Sequence, residues 1–216
     1  MSEGTRAAGL RIGSCGWEHE SWSPGFYPED LPPEWRLTYY ANAFRAVLIP
    51  GERLAVSEPA EVARWAADVD PGFAFYAELD PAGGDAALDG WIERLDPLVD
   101  LLAGLVLTPA CGGLSASRIA SLAGRWPLAW LETPGDRIQA AGGPGAQRVW
   151  RPGRHGGGCV GLLDGEPRGP RELRRVIEEF RAASPGCPDA LLCFPGTPGS
   201  LREMEQARLI VSLLGG

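Results

Sequence analysis

Apolar positions along the chain fall into two alternating rhythms. Short apolar runs at residues 10–14, 46–49, 73–79, 104–108, 128–132, 147–151, 159–164 and 190–194 read as strands. Between them lie segments with apolar residues at helical spacing. Leu37, Tyr40, Ala41 and Phe44 follow Pro32 and Pro33, which suit a helix start. Val62, Trp65, Ala66 and Val69 form a second helical face, with Ser57 as its expected cap and Pro59 in its first turn. Leu88, Trp91, Ile92, Leu95 and Val99 form a third, and Ile119, Leu122 and Ala123 a weaker fourth. Pro170 opens a helix with Leu173, Val176, Ile177 and Phe180. Ser200 and Glu203 stand at capping-box spacing before a last helix with Leu201, Met204, Ala207, Val211 and Leu214.

Strand followed by helix, repeated, predicts a parallel sheet covered by helices. Eight strands predict an α/β, TIM-barrel-like (β/α)8 parallel barrel, with an open doubly wound sheet as the alternative. The chain has 216 residues, short for a fold where about 250 is typical. The shortage sits between strands five and seven, where no convincing helix is written. The expected organisation is a flexible segment over 1–9 and a single domain over 10–216. Glycine and proline, 30 and 20 in number, lie between the apolar segments and read as turns. Only 140–145 and 151–158 look loose.

Composition narrows the function classes. A formal net charge of −8 does not favour nucleic acid as a partner. No apolar run is long enough for a membrane span and the start is polar, so a soluble, cytoplasmic protein is expected. The five cysteines form no C-x-x-C pair, which predicts free thiols rather than a disulfide framework. Zinc would favour Cys15, His19, Cys111, Cys159 and Cys193, but their spacing matches no ligand motif. No metal or other cofactor is expected.

Ile12-Gly13-Ser14-Cys15-Gly16-Trp17, then Trp22, Gly25-Phe26-Tyr27-Pro28 and Leu31-Pro32, are followed by the aromatic helix of Tyr40 and Phe44 and by Pro59, Val62, Trp65, Gly72, Phe73 and Phe75. This series resembles the YecE-like family, domain-of-unknown-function family seventy-two, over the first third of the chain. The resemblance implies a TIM-barrel-like fold and no established activity. It also implies polar groups at the strand ends: E-x-N after strand two, Lys near strand three, Q-x-P after four, E-x-R after five, R-x-H-G after seven and F-N-N after eight. This chain has Leu48-Ile49-Pro50, Glu78, Thr108-Pro109, Glu132-Thr133-Pro134, Leu163-Asp164-Gly165 and Phe194-Pro195-Gly196 at those places. It reads as a divergent, shortened member whose polar set is largely gone.

Candidate chemistry is therefore sparse. Glu78 and Glu132, at two strand ends, are the sharpest pair for acid–base or metal-assisted work; solvated or salt-bridged carboxylates are the plain alternative. Trp17, His19, Trp22, Tyr27, Arg151 and Asp164 are the expected pocket residues at the carboxyl face, where active sites of this fold sit. The aromatics either wall a ligand pocket or only close the top of the core. Arg151, Arg154 and His155 lie in a glycine-rich stretch that suits an anion or a surface loop. Two functions follow: a non-catalytic barrel that binds a small molecule or has become a relic, or a hydrolase or lyase that uses the strand-end carboxylates.

Overall fold

In the computed structural model, residues 9–132, 147–154, 157–187 and 189–215 are described. Eight parallel strands form one sheet in the order β6-β5-β4-β3-β2-β1-β8-β7. They are β1 (Gly9–Cys15), β2 (Ala46–Ile49), β3 (Ala74–Leu79), β4 (Leu102–Leu107), β5 (Leu128–Trp130), β6 (Gln147–Arg148), β7 (Val160–Leu162) and β8 (Asp189–Phe194). Just beyond β6, Trp150 bridges in parallel to Gly161 of β7. The Trp150 amide donates to Val160 O at 2.9 Å and Leu162 N donates to Trp150 O at 2.9 Å. That contact brings the two edges of the sheet together, so the architecture is a TIM-type barrel.

Seven α-helices accompany the strands among the described residues: α1 (Arg36–Ala43), α2 (Gly51–Ala55), α3 (Pro59–Ala67), α4 (Asp85–Leu95), α5 (Ala116–Ala123), α6 (Pro170–Ala183) and α7 (Pro198–Leu213). No helix lies between β5 and β7 among the described residues. The loose segment expected at 140–145 and His155 fall outside them, as do residues 1–8 of the expected flexible start. Gly9 is the first residue of β1, paired with Asp189.

Strand alternation divides the core into two layers. Ala46 and Leu48, Ala74 and Tyr76, Val106, Ala129, Val160, Leu191 and Cys193 come from strands alone and fill the barrel. The opposite phase, with Ile12, Val47, Ile49, Phe75 and Phe194, packs against helix residues such as Leu37, Val62, Phe180 and Met204. Gly13 is inward on β1, where a Cβ would come within 2.2 Å of Ala46 O, so only glycine lets β1 and β2 approach.

Three local expectations are corrected. Ser57 caps nothing on α3: Glu58 is the cap residue, and the Ser57 hydroxyl instead donates to Arg53 O at 2.7 Å. The last helix begins at Pro198, three residues earlier than the capping box requires. Ser200 and Glu203 are buried within it, Ser200 against the Thr197 hydroxyl and Glu203 accepting from the Arg168 backbone amide and guanidinium. The third correction concerns the thiols. Cys159 and Cys187 form a disulfide, with Cα atoms 5.5 Å apart. They stand just before β7 and β8, which are neighbours, as sequence spacing does not reveal. Cys15, Cys111 and Cys193 are free.

Candidate active site at the carboxyl end of the barrel

The carboxyl ends of β1, β3 and β8 place three polar side chains toward the barrel axis. Glu78 continues the inward phase of Ala74 and Tyr76 on β3, Cys15 that of Gly13 on β1, and Cys193 that of Leu191 on β8. Glu78 Oε2 accepts from the Gly51 amide at 3.1 Å, which ties β3 to the chain leaving β2. Burial raises the Glu78 pKa against that hydrogen bond, and the charges of Glu52 and Asp80 raise it further. Burial also pushes the Cys15 thiol up to about 12, assisted by Glu78 and Glu52. Cys193 is raised well above its ordinary value by burial, then by Cys15 and Glu78. Both thiols are protonated at neutral pH, so neither supplies a ready thiolate nucleophile.

His19 covers this group from the β1 exit loop. Gly16, at φ 75°, turns the chain there. His19 Nε2–H donates to Cys15 O at 2.8 Å, and its ring meets Trp22 edge-on with centroids 4.5 Å apart. Burial lowers the His19 pKa, so the ring is neutral at pH 7. The loop is fastened to the β8 exit by Ser21 Oγ donating to Gly196 O at 3.2 Å and Trp22 Nε1 to Thr197 O at 3.2 Å.

The remaining expected residues lie elsewhere around the mouth. Glu132 pairs with Arg148 at 2.9 Å, and no contact joins it to Glu78 among the described residues. Arg151 pairs with Asp164, linking the ends of β6 and β7, and the Arg168 guanidinium donates to Asp164 O at 2.8 Å. Trp17, Trp22 and Tyr27 are buried at 2%, 1% and 1% exposure. Trp17 meets Trp65 of α3 edge-on at 5.0 Å, Trp22 stacks parallel to Tyr40 of α1 at 6.3 Å, and the Tyr27 hydroxyl donates to Trp17 O at 2.5 Å. Their rings pack the loop onto the surrounding helices. Among the described residues, no three His, Cys, Asp or Glu side chains are grouped to hold a metal ion. Nor is any helix among them long and apolar enough to cross a membrane.

Gly51 is a part of this mouth that motif reasoning passes over, and Cys193 and Gly196 enter it in roles the motifs do not assign. Strand phase is the signal for Cys193, which shares its face with Leu191. Gly51 and Gly196 carry no side chain to announce them; only the fold shows what approaches their backbones.

Residues 11–81, from β1 into the β3 exit, match the family described as Protein of unknown function DUF72. Over that first third the chain is similar in sequence to the DUF72 proteins. A DUF72 family protein from Thermotoga maritima MSB8 has the same fold, with a TM-score of 0.62 and 15% identity over 96% of this chain and 100% of that one. A DUF72 family protein from Enterococcus faecalis V583 superposes with a TM-score of 0.62 at 12% identity, over 94% of this chain and 95% of that one. D-psicose 3-epimerase, solved in the presence of D-fructose, follows at 0.55 and 13% over 95% of this chain and 100% of that one. These likenesses concern the barrel itself. No curated protein matches the chain in sequence. The DUF72 match ends at Pro81, so it spans His19 and Glu78 but not Glu132, Arg151 or Asp164.

Proposed function

We propose that this DUF72-like barrel is non-catalytic and binds a small polar molecule at its carboxyl-end mouth, with Glu78 as the recognising group. The observation that carries this is the inward phase of Glu78 on β3, held by the Gly51 amide, on the same barrel interior as the protonated thiols of Cys15 and Cys193. A carboxyl with a raised pKa can hold a hydroxyl or amide by giving or taking a hydrogen bond. The Arg151–Asp164 pair stands on the β6–β7 rim as a second polar contact, and Trp17, Trp22 and Tyr27 support the His19 loop from behind.

General acid–base work needs a second group within reach of the first. A hydrolase or lyase built on Glu78 and Glu132 would require Glu132 to leave Arg148 and turn toward Glu78. His19 is no easier a partner: its Nε2–H goes to the Cys15 carbonyl, and its Nδ1 lies against Gly196.

A thermal-shift screen of neutral sugars, polyols and amides tests this reading on the full chain. A hit is expected whose stabilisation disappears in Glu78→Ala while the unliganded variant still melts cooperatively. Hits that survive Glu78→Ala, or turnover of a bound compound that needs both Glu78 and Glu132, would replace binding by another function.

A further inference from the structure

The opposite end of the barrel carries a separate crevice of about 320 Å³ between the start of β1, the turn into β2 and the second half of α7. That is within the size range of small-molecule sites, which are mostly apolar with a few placed polar groups. Leu10, Ile12, Phe44 and Val211 supply apolar wall, and Arg11, Arg45 and Arg208 supply guanidinium groups.

The three arginines are not equivalent. Arg11 is fully engaged: it pairs with Asp189 at 2.8 Å and donates to Gly72 O at 3.0 Å and Arg45 O at 3.4 Å, closing the barrel floor. Arg45 pairs with Asp70 at 3.0 Å, but both side chains are largely exposed, and such a pair is readily exchanged for another anion. Arg208 lies over the Phe44 ring at 6.0 Å and donates to Ala43 O. Among the described residues Arg208 is in no ion pair, and exposed Glu205 stands one turn before it on α7. In a chain of net charge −8, a guanidinium without an ion-pair partner at the lip of an apolar crevice is a local reversal of sign.

We propose that this crevice binds a small amphiphilic carboxylate, with its apolar body against Leu10, Ile12, Phe44 and Val211 and its carboxylate between Arg208 and Arg45. A guanidinium offers paired N–H donors that match a carboxylate, and the apolar wall rewards a hydrocarbon body. The site is independent of the Glu78 mouth, which lies at the other end of the strands.

Octanoate and 1-octanol, titrated calorimetrically into the full-length protein at low salt, provide the test. One octanoate per chain is expected to bind saturably, more tightly than 1-octanol, with affinity falling as salt is added. Arg208→Gln, at an exposed position, should weaken octanoate by about tenfold or more, the usual worth of a hydrogen bond to a charged group, and leave 1-octanol unchanged. Arg45→Gln should weaken octanoate less. Absence of saturable octanoate binding, equal affinity for 1-octanol, or octanoate binding untouched by both substitutions would overturn the proposal.

Discussion

The imidazole of His19 occupies the space directly above Gly196: a Cβ on that glycine would stand 1.8 Å from His19 Cε1. The pair locks the β1 exit loop onto the β8 exit, so glycine is required by His19 rather than by backbone conformation. Gly196→Ala is expected to destabilise the protein by about 1–3 kcal/mol in urea unfolding, as overpacking does. In a His19→Ala background the same substitution should cost less than about 0.5 kcal/mol, because the clash is gone. Equal losses in both backgrounds would show that the two residues are not coupled.

Glu78 gives stability a defined pH dependence. Its carboxyl titrates above the ordinary 4.5 in the folded state. Above pH 4.5 the folded chain therefore holds more proton at this site than the unfolded chain. Stability falls as pH rises from 4.5 through the folded pKa, then levels off. Glu78→Gln keeps an oxygen for the Gly51 amide and removes the titration. The stability difference, variant minus wild type, should grow over that window; a difference that is flat with pH refutes the assignment.

The Tyr40 hydroxyl is a junction inside the core. It accepts from Ser14 N and Ser14 Oγ, each at 3.0 Å, and donates to Ala46 O at 2.9 Å. Tyr40→Phe leaves the ring packing in place and strips the hydroxyl from the buried Ser14 N and Ala46 O, while Ser14 Oγ keeps the Gly16 carbonyl. A loss of about 1–3 kcal/mol is expected from denaturant melts, the cost of leaving buried polar groups unsatisfied.

The Cys159–Cys187 bond joins residues 28 apart in sequence. Closing a loop of that length stabilises by roughly 3–4 kcal/mol on the chain-entropy account. Thiol titration of protein unfolded without reductant should find three of the five cysteines reactive, and all five after reduction. Cys187→Ser should lower the melting temperature. Five reactive thiols without reductant would mean that the bond does not form.

Most of the barrel was legible because strands buried on both faces read as apolar runs and the helices between them as periodic faces. Phase on β3 marks Glu78 as inward with Ala74 and Tyr76. The same reasoning separates Glu132 from Leu131, which packs inside the barrel, and so separates the two carboxylates. Caps were less legible: Ser57 and Ser200 have the right chemistry, but helix starts were decided by Pro59 and Pro198. The disulfide was hidden because its geometry comes from two strands meeting in space. The aromatic loop announced itself clearly, yet its rings turned out to serve α1 and α3 contacts, with His19 as its member above Cys15.

The Trp150–Gly161 bridge makes the ring a closed surface with a seam. β6 has two residues and β7 three, whereas β1 and β8 are paired over six positions. Parting the sheet at Trp150 forfeits far fewer ladder bonds than parting it at β1. Slow-exchanging amides should therefore concentrate around β1, β2 and β8, while Trp150 and Leu162 trade their protons with solvent through local opening that leaves the rest of the barrel standing.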